Sequence, residues 1–332
     1  MDGIRRHAKD QAGTLKFDPP LRDSFAAIHI TPRSTTTTFG CLQLELREDE
    51  IRPFLRGGAT PGVNINKPEA AYGLKVVCVP TDGRGGMFVA ESTFGGILAE
   101  LDTDPWVEHL IQTSAYGFHY SGPATNGATY FLGTSFLWAV WTTRPEKASY
   151  AIKCLFLVPR DTTKADAAFT HHRLRGLIEC LKTCENDSRS WAYLPFALSL
   201  DVLRYRERSL LSCLDMIREV EAKTGHGSWG VTGLFTEDRE HITNLTSRLG
   251  TALNTNGNTL KHLTIVESIW QYLEDHLPGR REDDADLGHQ FLSAIGILRR
   301  QSSGAREQAQ YMDLRIRSQS SVVSCTLFIT TS

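Results

Sequence analysis

A large net charge is missing from this chain: its 332 residues carry 36 Lys and Arg against 38 Asp and Glu, a formal net charge of −2. That balance leaves no whole-chain electrostatic argument for binding nucleic acid or an anionic membrane. Paired cysteine motifs are missing as well. The seven cysteines (Cys41, Cys78, Cys154, Cys180, Cys184, Cys213 and Cys325) are odd in number and lack CxxC spacing, which points to reduced thiols rather than structural zinc. The opening Met1-Asp2-Gly3-Ile4-Arg5-Arg6 has no apolar run behind it, so no secretory leader is read and a cytoplasmic location is expected. Nor is there a membrane-length hydrophobic run. Ile111 to Thr143 is free of formal charge, but Gly117, Gly122, Pro123, Asn126, Gly127 and Gly133 interrupt it. Only Tyr130 to Trp141 is strongly apolar, short of the ~20 residues a spanning helix requires.

Catalytic signatures are equally scarce. There is no HExxH or HxxxH pair and no nucleotide fingerprint. His171 and His172 are adjacent, so on a helix their rings point to different faces. Cys180 and Cys184 stand at i, i+4 near them, and the expected outcome is one buried thiol and one exposed. The Asp82-Gly83-Arg84-Gly85-Gly86 stretch lacks the Lys-Ser/Thr of a phosphate loop and reads as a hairpin turn. His109 lies among apolar residues and reads as structural. The expectation is a protein that is not an enzyme.

What is present is a globular composition, 41% hydrophobic, large enough for a substantial core. Residues 1–23 read as a mobile N-terminal arm, and 24–160 as an α/β domain with a mixed β-sheet and helices. Within it Ser24–Ile30, Cys41–Leu46, Leu74–Pro80, Phe118–Tyr120, Thr129–Leu132, Phe136–Trp141 and Ala151–Val158 have strand patterning. Helical and loop readings compete from Glu48 to Gly58. A short helix carries Phe94, Ile97, Leu98 and Leu101 on one face, with Ser92 or Thr93 as its N-cap. Trp138 and Trp141 read as sheet residues rather than an aromatic cofactor box.

From residue 161 to 323 the pattern is helical. Thr170–Cys184 is amphipathic, and Trp191-Ala192-Tyr193-Leu194-Pro195 interrupts. Leu198–Lys223 then buries Leu200, Leu203, Leu210, Leu214, Ile217 and Val220. Thr236–Leu277 and Leu287–Val323 are predicted to be long antiparallel helices forming a stalk, and the last has an inward row of Phe291, Ile295, Leu298, Ser302, Ala305, Ala309, Met312, Ile316, Gln319 and Val323. Steps of four and three alternate along it, which is a heptad seam. At ~1.5 Å per residue it is a rod of roughly 55 Å. Residues 324–332 read as an irregular tail.

Glu91-Ser92-Thr93-Phe94 opening a short helix, the Trp191–Pro195 junction, Ile217-Arg218-Glu219-Val220-Glu221-Ala222-Lys223-Thr224-Gly225 and the closing Tyr311 to Val323 occur in an order that resembles the cytosolic part of fungal CorA-like divalent-cation transporters. The resemblance implies an α/β domain and long helices forming a cytosolic funnel, a pentameric assembly, and a last helix that continues into the membrane. It also implies a Gly-Met-Asn filter motif, which this sequence does not contain. The expectation is therefore a domain related to magnesium transporters, truncated before its membrane helices and unable to transport as written. Arg315 and Arg317 sit where a juxtamembrane segment carries positive charge. The alternative is a soluble, non-catalytic interaction or oligomerisation protein derived from the same domain.

Magnesium is the ligand this resemblance brings, in a regulatory role. Its weak candidate residues are Glu282, Asp283, Asp284 and Asp286, the one dense acidic cluster, although a solvated loop explains such a cluster too. Glu100, Asp102 and Asp104 are weaker candidates. A homo-oligomer through the long helices is the expected partner, with no nucleic acid, and with a membrane only where a missing C-terminal segment supplies one. The outward face of the last helix discriminates: apolar residues there favour oligomerisation, and polar ones a monomer.

Overall fold

The computed structural model describes residues 15–19, 24–31, 40–57, 73–82, 86–122, 127–146, 149–159, 176, 178–180, 191–224, 239–277 and 285–331. The chain divides into two compact units, Met1–Leu198 with Asp275–Leu287, and Ser199–Glu274 with Gly288–Ser332. This is a mixed α/β protein. Its sheet and its long helices follow one another as the patterning predicts.

The first unit is built on one nine-stranded sheet: β1 (Lys16–Asp18), β2 (Phe25–Thr31), β3 (Gly40–Leu46), β4 (Gly73–Thr81), β5 (Gly86–Phe88), β6 (Gly117–Ser121), β7 (Ala128–Gly133), β8 (Trp138–Glu146) and β9 (Ser149–Pro159). Its helices are α1 (Glu48–Arg56), α2 (Glu91–Leu101) and α3 (Trp106–Gln112). β4 and β9 lie side by side and parallel, from Gly73 opposite Ala151 to Thr81 opposite Pro159. β9, β8, β7 and β6 continue as an antiparallel meander, while β2 and then β3 pair antiparallel on the other side of β4.

Alternation along this register separates two faces. Ala27, Val77, Leu155, Val140 and Phe131 share one, and α1, α2 and α3 cover it with Ile51, Phe54, Leu55, Phe94, Ile97, Leu98, Leu101, Val107 and Ile111. On the other face Ile28, Val76, Cys154, Trp141 and Tyr130 are buried too. Burial on both faces explains why β4, β7 and β9 read as nearly continuous apolar runs.

Several local expectations need correction. Part of the expected arm is a strand: Leu15 and Phe17 pack on the core, the Phe17 ring 5.6 Å from Phe94, and β1 pairs parallel with β5. α2 starts at Glu91 with Ala90 as N-cap and no side-chain cap, so neither Ser92 nor Thr93 serves. Instead the Ala90 amide donates to Glu48 Oε1 at 3.2 Å, which ties the start of α2 to the first turn of α1. The Glu48–Gly58 ambiguity resolves as a helix despite Pro53. Glu50 accepts the Arg47 amide at 2.8 Å, and Gly57, at φ +98°, closes the helix in the left-handed conformation. β4 and β5 pair antiparallel around residues 83–85, and the Gly86 amide donates to Asp82 Oδ1 at 2.7 Å, as a hairpin requires.

The second unit is a bundle of α4 (Tyr193–Thr224), α5 (Arg239–His276) and α6 (Ala285–Thr331). Of the expected inward row on α6, every residue except Leu298 is buried. Leu210, Cys213, Ile217 and Val220 of α4 meet Ile242, Leu245, Leu249 and Ala252 of α5 and Ala305, Ala309, Met312, Ile316 and Val323 of α6 in one core. The stalk is thus three-stranded rather than two. Glu207 with Gln301 and Glu221 with Arg315 show α4 and α6 parallel, while Asn256 with Ala309 and Glu274 with Arg299 show α5 and α6 antiparallel.

Two helix boundaries differ from expectation. Trp191 and Ala192 form a turn, but Tyr193 to Pro195 already belong to α4, with Pro195 in its first turn, where its missing amide costs nothing. α6 does not end at Val323 in an irregular tail but runs to Thr331, a length of roughly 70 Å. No glycine or proline follows Val323 to stop it, and Ser324 returns its hydroxyl to the Ser320 carbonyl at 2.8 Å.

Candidate functional site

The sequence-nominated cation site contributes little geometry. Glu282, Asp283 and Asp284 lie outside the described residues, as do His171, His172 and Cys184; Asp286 falls in the first turn of α6, its side chain outside the described set. The weaker acids have structural work. Glu100 pairs with Arg56 at 2.7 Å and Arg52 at 3.5 Å. Asp102 closes α2 at φ +55° and meets Arg144 at 2.6 Å. Among the described residues no three His, Cys, Asp or Glu side chains converge as a metal-ligating group.

Other sequence candidates also settle into the architecture. Tyr130 and Trp141 are cross-strand partners stacked at 5.0 Å and 8°, and Phe118 stacks beside them at 6.3 and 6.1 Å. Both central rings are buried, so they present no open aromatic face. His109 is half-buried within α3. Cys180 is buried at the described end of the Thr170–Cys184 segment, beside buried Ile178. Burial pushes the Cys78 and Cys154 thiols well up and Cys213 to about 11, which removes them as nucleophiles. A shallow pocket over β2 and β3, lined by Ala26, Ile28, Gln43, Glu45 and Ile178, has Glu45 as its sole titratable side chain.

Two polar clusters hold the packing in place. The first lies between the sheet and the C-terminal ends of α1 and α2. Lys75 and Lys153 are neighbours in register on β4 and β9. Lys75 Nζ donates to the Phe54 carbonyl in the last turn of α1 at 2.8 Å and lies 5.3 Å from that ring's centroid. Lys153 Nζ donates to the Glu100 carbonyl at 2.9 Å, and Thr142 Oγ1 to the Leu101 carbonyl at 2.8 Å, both in the last turn of α2. A cation at each helix C-terminus answers the dipole and the free carbonyls together.

His29, buried opposite Lys75 on β2, packs edge-on against Phe54 at 6.0 Å. Burial, assisted by the Lys75 charge, pulls its pKa down to about 4. Burial and the Lys153 charge bring Lys75 down to about 8. These groups dock helices onto a sheet. The ammoniums donate to carbonyls, and among the described residues no nucleophile paired with a base stands beside them. The readable signal was a single lysine inside each of two apolar strands, Leu74-Lys75-Val76 and Ile152-Lys153-Cys154.

The second cluster lines the bundle. Asn256 Nδ2 donates to the Ala309 carbonyl at 2.8 Å, Thr224 Oγ1 to Gln319 Oε1 at 3.0 Å, and Trp270 Nε1 to Ser199 Oγ at 3.1 Å, all buried. Arg315 grips Glu221 through two nitrogens at 3.0 and 2.5 Å. Arg317 pairs with Asp313 at 2.7 Å. The two arginines expected at a membrane approach therefore both have acidic partners within the bundle. Comparison with protein-family models returned no match, and comparison with curated proteins returned none either.

Proposed function

We propose that this chain is a non-catalytic domain related to the cytosolic part of CorA-like magnesium transporters, an α/β unit carrying a helical stalk that stands on the cytoplasmic side of a membrane. One observation carries the reading: α6, 47 continuous helical residues after the α/β fold, keeps an inward heptad row from Phe291 to Val323. No helix of the described residues is long and apolar enough to cross a membrane, so transport is not assigned to this stretch of chain. Sequencing the transcript tests the proposal. Codons for an apolar span of ~20 residues in frame after α6 are expected; a transcript without such a span would overturn membrane attachment. Magnesium enters as a regulatory ligand of the same reading. Millimolar Mg²⁺ is expected to raise the melting temperature, since a ligand of the native state stabilises it, and an unchanged midpoint removes the metal from the proposal.

The outward face of α6 favours a second reading, self-association through the long helices. Ile297, Tyr311 and Leu314 are exposed there, 59%, 56% and 66% accessible. The same face carries Arg300 and Glu307, opposite charges seven residues apart, so two antiparallel copies would pair unlike charges. Sedimentation across a concentration series tests this. A dimer that Leu314→Glu dissociates supports it, and a monomer at every concentration rejects it.

A further inference from the structure

The margins of the sheet are of two kinds. On one side β1 is three residues long and exposes Lys16 and Asp18, and β3 carries exposed Glu45. Short strands and charged side chains are what keep an edge from pairing with another chain. On the other side the last strand is β6, which pairs with β7 and, among the described residues, with no further strand. It reads Gly117-Phe118-His119-Tyr120-Ser121, with no proline, acid, lysine or arginine. No bulge twists it away, since its residues pair one to one with Gly133 back to Thr129. This edge lacks the guards that the other one has.

The side chains of β6 leave its outer backbone accessible. Phe118 and Tyr120 share the sheet face of Tyr130 and Trp141, their rings 5.9 Å apart, so an aromatic row runs out to the margin. His119 is on the opposite face and is exposed. A Cβ at Gly117 would come within 2.9 Å of its Nε2, so the imidazole lies back along its own strand rather than out over the edge. Tyr120 is 46% accessible at the limit of the row.

We propose that β6 pairs antiparallel with β6 of a second copy of this chain, joining two nine-stranded sheets across a two-fold axis at His119. The strand is complementary to itself in that register. Phe118 stands opposite the partner's Tyr120 and Tyr120 opposite the partner's Phe118, which extends the aromatic row from one sheet to the next. Gly117 meets Ser121, small against small, and no like charges face each other. Every contact occurs twice, as an isologous interface requires. Five residues a side make a small interface of the transient class, so the dimer forms at high concentration. The pairing rests on the sheet unit alone and is independent of the transporter reading and of association through α6.

The test uses the full chain over a concentration series. Sedimentation is expected to show a monomer–dimer equilibrium. Hydrogen exchange at the outward amides of β6 should slow by about threefold once two thirds of the chains are paired, because only the monomer exposes them. His119→Lys sets two ammoniums across the axis and should return the chain to monomer. His119→Phe adds no charge and should keep the dimer, as should Leu314→Glu, which acts on α6. A chain monomeric at every concentration, a dimer that His119→Lys leaves intact, or a dimer that Leu314→Glu abolishes would overturn the pairing. So would β6 amides whose exchange in the wild-type protein ignores concentration, a measurement that serves even where the Lys variant does not fold.

Discussion

The sheet unit and the helical bundle bury their apolar residues in different ways. In the sheet unit the covered face is apolar except at its margin, where Lys75, Lys153 and Thr142 meet the ends of α1 and α2. Strand register already dictates which residues face inward, so polar groups are needed only to set where helices stop on the sheet. In the bundle polar residues sit in the seam itself: Arg206, Asn256, Thr259, Ser302 and Gln319 are all buried. Helices sliding by a heptad would still match apolar to apolar, so seam polar groups select one register at some cost in stability. Topology specifies the first unit, and polar layers the second.

The largest test of that difference removes apolar volume where topology dominates. Phe131, wholly buried on the helix-covered face, should cost about 4 kcal/mol as Phe131→Ala. Hydrogen exchange should show the loss in amides of β7, β8 and β9 and leave the α5 amides near Trp270 protected. Equal deprotection of both sets would mean that the two units do not differ in how they hold together.

Acid should discriminate between the units next. The His29 pKa falls from 6.5 to about 4 on folding, so below pH 6.5 the unfolded chain binds a proton that the folded chain refuses. Stability is therefore full above pH 6.5 and declines as pH falls toward 4, by roughly 3 kcal/mol in total. Unfolding free energies from urea titrations at pH 7 and 4.5, followed by sheet-unit fluorescence, should separate by most of that amount. His29→Phe should flatten the dependence; an unchanged slope would place the acid sensitivity elsewhere.

Legibility in the sequence followed the same division. Strand patterning located β2, β3, β4, β7 and β9 because both alternation and continuous apolar runs are local signals. The α6 row was readable because a heptad repeats its own evidence, and Leu298, half-buried, is its single departure. The α4 row was readable too, since Leu203, Leu210, Ile217 and Val220 are buried as expected, but nothing local in that row tells which helices it will meet, so its place as a third strand of the stalk was not. The site residues were the least legible. Lys75 and Lys153 owe their roles to helix ends far away in sequence, and nothing local announces which carbonyls will lie above a strand. Glu100, Asp102, Arg315 and Arg317 looked available for ions or membrane, yet each is held by a partner that only folding supplies.

A smaller effect is expected from a largely buried ion pair of the bundle. The Glu221 and Arg315 side chains are 9% and 18% exposed and share two hydrogen bonds, which hold the Arg315 charge more firmly than usual. Glu221→Gln should cost about 2 kcal/mol, because the guanidinium is left partly buried and underpaired. The double variant Glu221→Gln with Arg315→Met should recover part of that. Chemical denaturation of the four proteins gives the coupling energy, and a value near zero would make the pair incidental to the register.

The smallest effect should have the opposite sign. Asn256 sits wholly buried between α5 and α6, its amide donating to Ala309 and its own Oδ1 without a partner among the described residues. Ala309 has its helical bond in any case, so the contact adds alignment more than energy, while the idle oxygen costs desolvation. Asn256→Leu fills the seam with apolar volume and should leave stability unchanged or raise it by up to about 1 kcal/mol. What it should lose is uniqueness: amide spectra of the bundle should broaden or double as neighbouring registers become populated. A variant that is less stable yet gives one sharp set of resonances would show that Asn256 contributes energy rather than register, and would remove the distinction drawn between the two units.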